Sequence, residues 1–186
     1  MIVTLLTDFG TADGYVAEVK GALLRRAPDA TVVDVTHEIA PGDLLAAAYV
    51  LGRTWRAFPE GTVHLVVVDP GVGTARRALA VETAGHRFVA PDNGVLSRVL
   101  ESGSGRIVSL PMDAAASPTF HGRDLFAPAA ARLLAGEPLA ALGRPVGDPV
   151  MLPAPRLERR GDVAVGEVVH VDRFGTLVTN LPGAVL

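Results

Sequence analysis

The feature that most constrains this chain is the alternation, over its first 150 residues, of short β-branched runs with longer amphipathic ones. Ile2-Val3-Thr4-Leu5-Leu6, Thr31-Val32-Val33-Asp34-Val35 and Val63-His64-Leu65-Val66-Val67-Val68 read as strands. The first and last are nearly continuous apolar runs, as strands buried on both faces should be. Between them, Tyr15–Arg26 and Asp43–Ala57 are long enough for helices. Tyr15, Val19, Ala22 and Leu23 recur at helical spacing on one core-facing side, and Arg25-Arg26 suit the negative end of the helix dipole. Asp43 follows Pro41-Gly42 as an early-turn acid. This grammar predicts an α/β fold, a mostly parallel sheet with helices on both faces. Ala78–Val81, Phe88–Ala90 and Ile107–Leu110 are expected as further strands, and Asn93–Leu100 and Leu125–Leu134 as further helices.

The grammar changes after Gly147–Pro155, which carries three prolines in nine residues. Val163–Val171 and Leu177–Thr179 are β-rich with no helix between them. The expected organisation is an N-terminal α/β domain over 1–150, a linker over 151–160, and the start of a small all-β C-terminal domain over 161–186. So short a β segment cannot close a barrel or sandwich, so completion by another chain or by further residues is expected.

Composition excludes several classes. With no cysteine, there is no disulfide, Cys-ligated zinc, iron–sulfur cluster or cysteine nucleophile. A net charge of −3 with interspersed signs argues against nucleic-acid or anionic-membrane partners. The apolar N-terminal run is too short for a signal segment, and no run of membrane-spanning length occurs, so a cytoplasmic protein is expected.

In open α/β sheets, ligands bind beyond the carboxyl ends of the strands. Turn clusters fall there at Thr7-Asp8-Phe9-Gly10, Asp34-Val35-Thr36-His37, Asp69-Pro70-Gly71-Val72-Gly73 and Pro91-Asp92-Asn93-Gly94, and Phe120-His121-Gly122-Arg123-Asp124 opens a helix. Any one of these satisfies ordinary turn chemistry. Several carboxylates and a histidine gathered at one sheet edge point to a site. His64 reads as a packed, hydrogen-bonded core side chain, His37 as a turn bridge and His86 as a hairpin residue. His121, beside Arg123 and Asp124 before a helix start, is the candidate base or water-orienting group. Gly71-Val72-Gly73-Thr74 lacks the Gly-Lys-Ser/Thr of a phosphate loop, and neither a GxSxG elbow nor a His-x-x-x-His metal pair occurs.

Six segments in order, Thr7–Gly21, Asp34–Asp43, Val66–Arg77, Val89–Ser97, Phe120–Ala131 and Val171–Asn180, resemble the S-adenosyl-L-methionine (SAM) hydroxide adenosyltransferases. These are hydrolytic relatives of the SAM-dependent fluorinase and chlorinase. The resemblance implies hydrolysis of SAM to adenosine and L-methionine by water attacking ribose C5′. It implies a homotrimer whose site lies at the subunit interface, between the α/β domain of one subunit and the C-terminal domain of its neighbour. By motif position it implies Asp69, Arg76 and His121 as the set holding and activating water, Asp8 on the ribose hydroxyls, and Asp13 and Asp172 near the methionine amino group. Phe120 and Phe174 fall at nucleoside-lining positions, and Thr176 stands where family members commonly carry an adenine-contacting asparagine. SAM is substrate, and neither cofactor nor metal is implied.

The chemistry of the residues agrees. A carboxylate accepts from both hydroxyls of a diol, which suits Asp8. A sulfonium departs as a neutral thioether and needs no general acid. Because Arg76 beside Asp69 weakens that carboxylate as a base, His121 or the whole set is the expected proton acceptor. A carboxylate at 69 repels halide, which favours hydrolysis over halogenation. Two other readings stay open here: a catalytically poor adenosine- or SAM-binding protein, and a metal-assisted hydrolase using Asp8, Asp69, Asp92 and His121.

Overall fold

A computed structural model describes residues 1–103, 105–112 and 115–183. The last three residues of the expected C-terminal domain lie outside the described residues. The chain divides into two compact units, Met1–Met151 and Leu152–Leu186.

The first unit is a seven-stranded sheet in the order β2-β1-β3-β5-β4-β6-β7. Its strands are β1 (Ile2–Thr7), β2 (Thr31–Thr36), β3 (Val63–Val67), β4 (Ala78–Thr83), β5 (His86–Pro91), β6 (Arg106–Leu110) and β7 (Arg144–Pro145). β2, β1, β3 and β5 run parallel, and β4, β6 and β7 continue the sheet antiparallel. The chain leaves β1 toward β2 on one side and returns to β3 on the other. That makes the β1/β3 boundary a topological switch point, where helices diverge to opposite faces and leave a crevice at the carboxyl ends. The β1–β3 register, Val3↔Val63 through Thr7↔Val67, brings both strands to an end side by side.

Alternation along the strands divides the core in two. Val3, Leu5, Val63, Leu65, Val67, Ala78 and Ala80 pack with α1 (Tyr15–Leu24) and α4 (Ala127–Leu134) on one face. Leu6, Val66, Val68, Leu79 and Val81 pack with α2 (Leu44–Thr54) and α3 (Ser97–Leu100) on the other. At roughly 25 cal/mol per Å² of apolar surface removed from water, this two-sided burial is the main force holding the sheet. Asp43 caps α2 by accepting from the Ala46 amide at 2.9 Å. On the α2 face the sheet also buries polar groups, which are bonded as burial demands. Thr4 Oγ1 lies 2.8 Å from His64 Nδ1, and His64 Nε2 lies 3.1 Å from His86 Nδ1.

Four details differ from expectation. Tyr15, expected on the core face of α1, is half exposed, whereas Val19, Ala22 and Leu23 are buried. The second helix gives way at Trp55–Ala57 to a 3₁₀ turn. The helix expected over Asn93–Leu100 is confined to α3, because the Asn93 side chain is bonded to Val68 O and to the Val95 amide, which holds its first residues in a turn. Leu125–Leu134 is entered through a π-helical turn, Gly122–Phe126.

The second unit consists of two hairpins: β8 (Glu158–Arg160) with β9 (Val163–Val165), and β10 (Val168–Val171) with β11 (Leu177–Thr179). β8 falls within the segment expected as linker. Its arginines and glutamate carry no apolar alternation, and the Gly161-Asp162 turn is what pairs it with β9. Asn180 ties this small unit together. Its amide oxygen accepts from Glu167 N at 2.7 Å, and its amide nitrogen donates to Pro155 O at 3.1 Å and Arg156 O at 2.9 Å. Among the described residues, no helix is long and apolar enough to cross a membrane.

Candidate active site

Asp8 follows β1, and Asp69 follows β3 by one residue past Val68, so both carboxylates emerge at the switch point. Arg76 reaches back across the loop that Asp69 opens. Its Nε donates to Asp69 Oδ1 at 2.9 Å and to Oδ2 at 3.1 Å, and its Nη2 also donates to Oδ2. The loop between them turns tightly at Gly73, whose φ of +77° is a left-handed conformation and whose missing Cβ would lie 2.7 Å from Pro118 O. The Asp69 and Arg76 side chains are only 6% and 9% exposed. An ion pair at that depth is held by its hydrogen bonds as well as by charge.

His121 comes from 45 residues further along the chain than Arg76. It sits immediately before the π-helical turn, and Gly122 is what lets it approach. A Cβ on Gly122 would stand 3.3 Å from Val67 Cγ1 and 3.5 Å from Phe9 Cζ, so the backbone lies directly against the end of β3. His121 Nδ1 is 2.8 Å from Arg76 Nη2. A guanidinium only donates, so Nδ1 is the acceptor and the imidazole proton sits on Nε2. Burial, then the charge of Arg76, hold the His121 imidazole below its ordinary value, so it is neutral at neutral pH. Arg76 also stacks over the Phe126 ring, 5.1 Å from its centroid. The three side chains the resemblance names are thus one bonded cluster, with Arg76 at its centre.

Asp8 Oδ2 accepts from the Gly42 amide at 2.8 Å, which fixes the carboxylate and leaves Oδ1 for a ligand. The loop after β1 is braced further: Gly10 N donates to His37 O at 2.7 Å, and Thr7 Oγ1 lies 2.9 Å from His37 Nδ1. Asp13 is exposed in the turn before α1. Phe120 makes edge-to-face contacts with Phe9 at 6.0 Å and Tyr15 at 5.5 Å, and Phe9 meets Tyr15 at 6.1 Å. Reading the sequence missed Phe9 and Tyr15 as parts of this aromatic triangle. The signal available for Tyr15 was an aromatic at the first position of a helix opening directly onto a strand-end turn.

In the second unit, Asp172 closes a turn. Its Oδ1 accepts from Phe174 N at 2.9 Å and Thr176 N at 2.8 Å, and the hydrogen bond from the Thr176 backbone N–H foremost holds the carboxyl below its ordinary range. Phe174, 92% exposed, projects from that turn, and Thr176 is exposed beside it. The structure gathers Asp69, Arg76 and His121 directly, sets Asp8 at the adjacent strand end, and puts Asp172, Phe174 and Thr176 together on one turn of the other unit.

The four residues of the metal-assisted reading are each already bonded within the protein, Asp69 and His121 to the same arginine. Asp8 is bonded to Gly42, Asp69 to Arg76, His121 to Arg76, and Asp92 to Arg77 and Val150. Among the described residues, no group of three or more His, Asp or Glu side chains is disposed to hold a metal ion.

Residues 3–143 match the family model described as the SAM hydroxide adenosyltransferase N-terminal domain. The chain is 45% identical over 192 residues to an (R)-S-adenosyl-L-methionine hydrolase of Salinispora arenicola, covering 99% of this chain and 73% of that protein. A fluorinase of Actinoplanes is more distant, 32% identical over 214 residues, covering 97% of this chain and 71% of the fluorinase. Among solved structures, an uncharacterized conserved protein of Thermotoga maritima superposes with a TM-score of 0.92 at 40% identity, over all of this chain and 73% of that one.

Proposed function

The chain belongs to the SAM hydroxide adenosyltransferase family, and on that premise we propose that it is a hydrolase converting SAM and water to adenosine, L-methionine and a proton. The observation that carries the reading is the bonded Asp69–Arg76–His121 cluster beside Asp8 at the sheet's switch point. The hydrolase relative's name specifies the (R) form, which makes that sulfur epimer the first substrate to test.

The residues divide the work by their bonding. Asp8, pinned by Gly42, presents Oδ1 to the ribose hydroxyls. Phe120, with Phe9 and Tyr15 behind it, offers a flat apolar wall to the nucleoside. His121 has no vacant nitrogen for a proton, because Nδ1 already accepts from Arg76. Its Nε2–H therefore donates to the oxygen of the attacking water. Asp69 Oδ1, which accepts only from Arg76 Nε, has lone-pair capacity left to accept from that water. Water held between one donor and one acceptor has a lone pair directed at C5′. The C–O bond forms as the C5′–S bond breaks, the electron pair stays on sulfur, and the proton leaves through Asp69 Oδ1. Orientation of this kind supplies several kcal/mol of a barrier, up to about 7–11 in the best cases. This bonding supports assigning the proton-accepting part to Asp69, where the sequence favours His121 or the set acting together. Because a thioether is a good leaving group, the step calls for no cofactor.

Asp13 and Asp172 are proposed for the methionine amino group, and Phe174 and Thr176 for the nucleoside. A homotrimer, in which the C-terminal unit of one subunit serves the site of its neighbour, is the assembly the resemblance supports. The cytoplasm, where SAM is made and spent, is the proposed compartment. The test is incubation of the purified protein with each SAM epimer, with and without EDTA and chloride, followed by chromatography. Equal adenosine and methionine, indifferent to both additions, is the expected result. Chlorinated nucleoside, or activity abolished by EDTA, would overturn the reading.

A further inference from the structure

One turn at the sheet edge, Pro91-Asp92-Asn93-Gly94, is left unused by the reaction, yet its two polar side chains grip the two ends of the catalytic loop. Asn93 Nδ2 donates at 2.9 Å to the carbonyl of Val68, the residue immediately before Asp69. Asp92 Oδ2 accepts at 2.6 Å from Nε of Arg77, the residue immediately after Arg76. The neighbouring backbone repeats the grip: Asp92 N donates to Arg77 O at 2.9 Å, and Arg76 Nη1 reaches the same carbonyl at 3.4 Å.

We propose that Asp92, Asn93 and Arg77 are positioning residues that clamp both ends of the loop from Asp69 to Arg76, setting the geometry in which Arg76 holds Asp69 and His121. The architecture explains why this turn can do it. β5 lies between β3 and β4, parallel to the first and antiparallel to the second, so the residues following β5 touch both the end of β3 and the start of β4. Asp69 follows the former, and Arg76 precedes the latter. Asp92 is built for the task, since its side chain is 2% exposed and both its oxygens are engaged, Oδ1 by the Val150 amide at 2.8 Å. A carboxylate that deep needs such partners to remain there. Arg77 spends its remaining donors on Asp148, with Nη1 to Oδ1 at 2.7 Å and Nη2 to the carbonyl at 2.6 Å. The segment around residues 148–150 is thereby fastened to the same turn as the catalytic loop. Asn93 Oδ1, which accepts from Val95 N at 3.2 Å, holds its own amide in the orientation that reaches Val68.

The inference rests on the hydrolase reading and is tested so that the two can fail separately. Asn93→Asp keeps the acceptor for Val95 but removes the donor to Val68. Arg77→Lys keeps a positive charge beside the buried Asp92 but loses the rigid fork that also reaches Asp148, at a side chain that is 35% exposed. A misplaced catalytic group is expected to lower kcat about 10- to 100-fold, while the KM for SAM, adenosine affinity and melting temperature stay near wild type. The ring-nitrogen NMR signal of His121 Nδ1 reads the same event without turnover, because it moves when Arg76 shifts. Wild-type kcat and an unmoved His121 signal in either folded variant would overturn the clamp. So would parallel losses of kcat, adenosine affinity and melting temperature, which mark a purely structural role. A wild-type protein that makes no adenosine would overturn the hydrolase reading instead, leaving the His121 signal to decide the clamp.

Discussion

Arg76 donates to Asp69 and to His121 at once, and this pair of hydrogen bonds is what assigns opposite parts to its two neighbours. Asp69→Ala or His121→Ala should lower kcat by about 10²- to 10⁴-fold, the range typical of a lost proton-transfer or water-orienting group. Adenosine affinity, measured calorimetrically, should remain nearly intact in both. Asp8→Ala should invert the pattern, with adenosine affinity falling about 10- to 100-fold for the loss of charged hydrogen bonds. Wild-type adenosine binding in that variant would refute its ribose role. The pH profile follows from the same geometry. Protonating His121 sets a new N–H against Arg76 Nη2, and the imidazole's proton affinity is already lowered by burial and by that guanidinium. kcat should therefore hold level as pH falls from neutrality through the ordinary histidine value of 6.5 and decline only below it. A break at or above 6.5 would place His121 in another protonation state.

At the scale of elements, the loop between β3 and β4 has little room to change. A methyl at Gly73 would meet the Pro118 carbonyl and force a left-handed conformation on a residue with a side chain. Gly73→Ala should cost about 1–3 kcal/mol of stability, read as a lowered urea midpoint, with kcat falling further than that loss explains. The strand ends that carry the site were legible in the sequence, because Ile2–Leu6 and Val63–Val68 are unbroken apolar runs followed at once by acidic turns. Tyr15 was misplaced because its spacing from Val19 and Ala22 fits a core stripe, and nothing local shows that the first turn of α1 overhangs the site. The pairing of Arg77 with Asp92 spans fifteen residues of hairpin and leaves no trace in spacing. β8 was hidden for the reason opposite to β1. Glu158–Arg160 carries charge where a strand signal would carry alternation, and only its turn and partner make it a strand.

Across the whole molecule, the active cluster and the acid-sensitive part of the sheet are different places. His64 and His86 lie bonded to each other on the α2 face, among Trp55, Phe58 and Phe88. Burial, then the neighbouring His86, hold His64 down to about 3, against an ordinary value of 6.5. His86 is lowered too, by burial first, with Glu60 opposing and Arg56 reinforcing. Both histidines take up protons in the unfolded chain near 6.5 and resist them in the native one. Stability is therefore complete above that pH and drains as pH falls below it, for His64 toward 3 by up to about 1.4 kcal/mol per pH unit, with His86 acting in the same direction. Melting temperature should already drop between pH 6.5 and 5, above the range where carboxylates titrate, and His64→Gln should flatten that slope. An unchanged slope would show that the pair does not govern acid stability.

The central claim is that water, held by Asp69 and His121, attacks ribose C5′ of SAM. The most direct measurement is turnover in ¹⁸O-labelled water, with the adenosine and methionine analysed by mass spectrometry. One ¹⁸O in the 5′-hydroxyl of adenosine and none in methionine is the predicted result. Adenosine formed without the label, or label recovered in methionine, would contradict attack by water at C5′.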